Sequence, residues 1–79
     1  MDINILNFYF QQIGFKKKQN KKFLNYIRKN YEVKIFAIDK KAFILKDDLI
    51  LFETGLPTNE ASIVKWCNLL IQKDEKETT

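Results

Sequence analysis

Between Tyr31 and Glu53 the hydrophobic period of the chain changes, and this constrains the fold more than any other stretch. "YEVKIFAID", "KAFILK" and "DLILFE" are rich in β-branched and aromatic residues and are separated by charged pairs. Asp39-Lys40 and Asp47-Asp48 are short enough for tight hairpins, so the three segments predict an antiparallel meander. Both faces of that meander are apolar. Val33, Ile35, Ala37, Ile44 and Leu51 alternate against Phe36, Ile38, Phe43, Leu45, Ile50 and Phe52. A sheet with one face in water alternates more cleanly. Either helices cover both faces, or one face meets a partner.

Helical spacing flanks this region. Ile3, Leu6, Phe10 and Ile13 recur on one helix face, with Asp2 placed to cap the start and Gly14 the end. Ile5, Phe8 and Tyr9 make that helix apolar nearly all round, and the alternation of Phe8 and Phe10 leaves a strand as the alternative. "QNKKFLNYIRKNY" predicts a second helix from near Asn20. Phe23, Leu24, Ile27 and Tyr31 share one face of it, opposite Lys18, Lys21, Lys22, Asn25, Arg28 and Lys29. "LPTNEASIVKWCNLLIQK" predicts the last helix, with Thr58 as its cap and Glu60 in a first turn that favours an anion. Its core stripe is Ile63, Val64, Cys67, Leu70 and Ile71. Leu69 lies well away from the stripe and Trp66 on its flank. The expected fold is a small α+β domain, order α-α-β-β-β-α, with a three-stranded antiparallel meander packed by helices over residues 1–73. Residues 74–79 are read as a polar, frayed tail.

The residue inventory excludes several chemistries. Cys67 is the only cysteine, so no intrachain disulfide forms, and histidine is absent. A Cys/His zinc site and a histidine-dependent hydrolase triad therefore cannot be assembled. Glu32-Val33-Lys34 matches half of a metal-nuclease motif, but only Asp2 precedes it, thirty residues earlier. Alternating charge along a strand explains the triplet better. Asp47, Asp48 and Glu53 read as hairpin chemistry, since no calcium-loop spacing is present. Cys67, on an apolar stripe without a histidine, reads as an inert core thiol. "LFETGLPTNEA" is not a phosphate loop. No catalytic residue, metal or cofactor is expected. No apolar run approaches the roughly 18 residues of a membrane span. Asp2, with no basic residue before the first apolar stretch, is a poor signal-peptide start. The reading is cytoplasmic, with no membrane partner.

Charge is unevenly placed. "GFKKKQNKK", residues 14–22, holds five lysines, and no acid occurs from 14 to 31. Residues 1–31 carry seven basic residues against Asp2 alone, while residues 32–79 carry seven basic against nine acidic. Lys16, Lys17, Lys18, Lys21, Lys22, Asn25, Arg28 and Lys29 are thus the candidate surface for a nucleic acid or an acidic protein or nucleoprotein partner, with Phe15, Tyr26 and Tyr31 interleaved. Thirteen lysines against one arginine favour phosphate contact over base reading, so the binding is expected to be sequence-unspecific. The Lys/Ile/Asn excess fits an AT-rich genome. The functional expectation is a small non-enzymatic binding protein of phage or plasmid type. The alternative is a protein–protein interaction module, an inhibitor of a host enzyme or a self-associating (homodimeric) adaptor, using an apolar sheet face with Trp66 and Leu69.

Overall fold

The computed structural model of the chain describes residues 1–77. In order, these form α1 (Ile3–Gln12), β1 (Lys16–Lys18), β2 (Leu24–Arg28), β3 (Tyr31–Phe36), β4 (Lys41–Lys46), β5 (Leu49–Gly55) and α2 (Glu60–Glu77). The α+β class and the antiparallel meander hold. The meander has five strands in the order β1-β2-β3-β4-β5, where the sequence predicted three, and the expected second helix is absent.

That helix is replaced by β1, a loop and β2. Five residues such as Leu24–Arg28 fit both a 3.6 and a 2.0 period, and pairing decides between them. All of β2 pairs with β3, from Leu24 with Ile35 to Arg28 with Tyr31. In this register Tyr26 is buried and its ring stacks on Phe10 at 4.2 Å, a contact a helix here would forfeit. Asn20 does not cap a helix. Its side chain accepts from the Lys22 N–H at 2.9 Å and shapes the loop.

α1 ends as its residues dictate. Asp2 caps the start, accepting from the N–H of Asn4 and Ile5. At the other end Gly14 takes φ +91°, and the N–H of Phe15 reaches back to the Phe10 carbonyl at 2.9 Å. This six-residue closure brings Phe10 and Phe15 edge to face at 5.2 Å. The cap of α2 is Asn59 rather than Thr58. Asn59 adjoins the first helical residue, and its Oδ1 accepts from the Ser62 N–H at 2.9 Å. The Asp2 N–H donates to Glu60 Oε1 at 2.6 Å and joins the starts of the two helices. This bond, with Glu60's own N–H, holds the Glu60 carboxyl below its usual range.

Both helices lie on one face of the sheet and touch one another. Leu6 and Phe10 from α1, with Ile63, Val64, Cys67 and Ile71 from α2, meet Tyr26, Tyr31, Val33, Ile35, Ala42 and Ile44 in one cluster. Full burial of each large apolar side chain contributes roughly 1.5–3 kcal/mol. A bulge between β4 and β5 pairs Leu45 with Ile50 and Ile44 with Phe52, so that Leu51 and Phe52 both pack on this core.

α2 does not stop at residue 73. Its last turns run to Glu77, and Asp74 is buried, accepting from the Tyr31 hydroxyl at 2.8 Å and from Lys46 Nζ at 3.1 Å. The expected frayed tail is therefore part of the helix as far as residue 77. Residues 78 and 79 lie outside the described residues. The two sheet edges differ: β1 is three exposed lysines, whereas β5 exposes Leu49 and Ile50.

Candidate nucleic-acid interface

The lysines of the 14–22 stretch gather on one hairpin. Lys16, Lys17 and Lys18 are exposed along β1, and Lys21 and Lys22 are exposed in the loop that leads to β2. A strand of three lysines is tolerated here because it forms the sheet edge, where each ammonium reaches water. The predicted basic helix face does not exist, and its other members part company. Arg28 turns to the helical side of the sheet, where its Nη1 donates to the Ile13 carbonyl at 3.1 Å. Its Nη2 lies 3.5 Å from Glu75, and its guanidinium rests 5.5 Å from the Phe15 ring centre. These contacts fasten α1 to α2. Lys29 sits in the β2–β3 turn with φ 54°, at the end of the sheet opposite the lysine loop. Asn25 is only 3% exposed.

The sheet has a second face that no helix covers. Because Tyr26, Val33 and Ile44 point to the helices, their alternates point away. Register sets these alternates in rows. Lys18, Asn25, Lys34, Phe43 and Glu53 form one row across all five strands. Phe23, Phe36 and Lys41 continue beside it. Lys16, Ile27, Glu32, Leu45 and Ile50 lie on the other side. The Phe23 and Phe36 ring centres are 4.9 Å apart, and those of Phe36 and Phe43 are 5.4 Å apart. All three rings are half-buried, and Lys34 Nζ stands 5.3 Å from the Phe23 centre. An open cleft of about 1290 Å³ lies at the end of the sheet, bounded by the lysine loop, by Phe23, Phe36 and Asp39, and on the helical side by Met1, Ile3 and Ile35. A second, of about 490 Å³, continues from Phe36 to Lys41 and Phe43. The Asn25 Oδ1 in the middle row has no hydrogen-bond partner.

Sequence reasoning placed Phe36 and Phe43 on a common face but left Phe23, Lys34 and Lys41 out of the candidate surface. Once "FLNYI" is read with period 2, Phe23 and Asn25 fall beside Lys34 and Phe36. Trp66 and Leu69 are not brought together: Trp66 packs against the core, while Leu69 is exposed on the outside of α2. The larger exposed apolar group on the helices is Ile5, Phe8 and Tyr9 of α1.

Cys67 is fully buried, which pushes its thiol far above the usual range and leaves it protonated. Among the described residues, no three of Cys, Asp and Glu converge on a point suited to a metal ion. Nor is any described helix long and apolar enough to cross a membrane. Comparison with protein-family models, with curated proteins and with solved structures found no match for the chain.

Proposed function

We propose that this chain is a small, non-enzymatic nucleic-acid-binding protein that docks through the β1–β2 hairpin. The observation that carries the reading is the gathering of Lys16, Lys17, Lys18, Lys21 and Lys22 on one exposed hairpin in a segment without an acid. Lysines so placed attract phosphate as point charges and release counterions on binding. Loss of Arg28 to a structural role weakens any case for guanine reading, and contact is sequence-unspecific. An AT-rich phage or plasmid is the kind of source that fits the lysine bias. Measured at two salt concentrations, binding should fall with a log–log slope of about −4 to −5 on duplex, or about −3.5 on a single strand, for five phosphate contacts. Charge reversal at Lys18, Lys21 and Lys22 should abolish it. Unchanged affinity after those substitutions would sink the reading.

A second reading, a protein-interaction module, draws support from the outer face of α1, where Ile5, Phe8 and Tyr9 are exposed side by side. It expects a partner whose capture survives nuclease treatment and is lost on Phe8→Ser.

A further inference from the structure

Resting on the nucleic-acid reading above, we infer that the ligand is single-stranded and crosses the helix-free face of the sheet, from the lysine hairpin over Phe23 and Phe36 to Phe43. The first support is geometric. The Phe23, Phe36 and Phe43 rings stand 4.9 and 5.4 Å apart in succession across the strands, and the row Lys18, Asn25 and Lys34 runs beside them from the hairpin edge. Bases have apolar faces on both sides, and a strand can lay them on half-exposed rings while its phosphates meet ammonium groups. A duplex keeps its bases stacked on one another and offers these rings nothing to stack on.

Charge is the second support. Among the strand residues of this face, Lys16, Lys18, Lys34 and Lys41 meet two acids, Glu32 and Glu53, and Glu53 lies 3.7 Å from Lys41. On the half of the face that carries the rings, Lys18, Lys34 and Lys41 stand against Glu53 and against Asp39, which lies at the β3–β4 turn beside Phe36. An acidic peptide would satisfy the lysines but would leave three neighbouring aromatic rings facing its polar side chains. A nucleic-acid strand satisfies both.

Asn25 is the third. Its Oδ1 is buried and unpaired on β2, between the cross-strand neighbours Lys18 and Lys34 in the middle row of the face. Such an acceptor is costly unless met by a donor. The exocyclic amino group of a cytosine, adenine or guanine laid on this face supplies that donor without selecting a sequence. The site is thus built for base contact as well as for charge.

The test uses the full chain, a labelled oligodeoxycytidine and a mixed-sequence duplex, read by fluorescence anisotropy at about 50 mM salt. Phe36→Leu and Phe43→Leu keep apolar volume and remove the aromatic face. The single strand should bind more tightly than the duplex, and each substitution should weaken single-strand binding roughly fivefold or more. Duplex affinity and the thermal melt should stay unchanged. Where a leucine variant melts early, amide chemical shifts of the wild-type protein decide instead. Perturbations at Lys34, Phe36 and Phe43 support the path, and perturbations confined to residues 16–22 overturn it. Single-strand binding indifferent to both phenylalanines, yet lost on Lys21→Glu with Lys22→Glu, also overturns it while leaving the hairpin reading intact. A dimer that dissociates on Phe36→Leu or Phe43→Leu would put a second copy on this face and defeat the inference. Failure of the wild-type chain to bind either polymer removes both proposals.

Discussion

Gly14 holds φ at +91°, and a Cβ built there would stand 3.3 Å from Arg28 Cδ. That Arg28 carbon cannot retreat freely, because the guanidinium beyond it is held by the Ile13 carbonyl and Glu75. Gly14→Ala therefore meets two penalties, a left-handed backbone and a crowded neighbour. The expected loss is roughly 1–2 kcal/mol from the backbone alone, measured by urea unfolding with an unchanged m-value. The cap itself was legible in the sequence, as was the Asp2 cap, since both act within a few residues of themselves. Arg28 was not. Its partners are Ile13 and Glu75, fifteen positions before it and forty-seven after, and only the fold puts them around one guanidinium. A basic residue in a lysine-rich stretch reads as part of the stretch until such partners are known.

At the level of elements, α2 is fastened to the sheet by its far end. The Tyr31 hydroxyl first, and Lys46 second, hold the Asp74 carboxyl below its usual range. A carboxyl lowered in the folded state stabilises at pH values above its unfolded pKa, about 3.9. That contribution should fade as pH drops from near 4 through the lower folded value. Asp74→Asn should lower the melting temperature at neutral pH and flatten its decline in acid. A melting curve that falls as steeply in the variant as in the wild type would count against this pin. From sequence, "KDEKETT" looked like a solvated tail because the donors to its buried carboxylate, the Tyr31 hydroxyl and the Lys46 ammonium, come from two distant strands. The β2 error has a similar origin. Strands of five residues carry too little periodic signal, and the partner strand supplies the rest. β4, by contrast, was readable to the residue: its ends are set by turns, and Asp47 and Asp48 both adopt the positive φ that a two-residue hairpin loop demands.

For the whole molecule, the sequence posed an either/or: apolar residues on both strand faces had to be covered by helices twice or by a partner once. The chain covers one face. Two helices fill the side of Tyr26, Val33 and Ile44, and the side of Phe23, Phe36 and Phe43 remains without a layer. What sequence could not supply was the count of strands, and with it the width of the bare face. The two margins of the sheet also differ in a way that governs behaviour at high concentration. β1, with its three lysines, repels an incoming strand. β5 is seven residues long, contains neither lysine nor proline, and leaves Leu49 and Ile50 exposed. Strand addition between copies is therefore expected at β5 and refused at β1. Sedimentation at rising concentration should reveal a dimer without larger species, and Ile50→Lys should abolish it. A sheet with one adhesive margin and one capped margin can double but cannot polymerise, so the lysines of β1 are expected to act as a chain terminator, stopping strand addition at two copies.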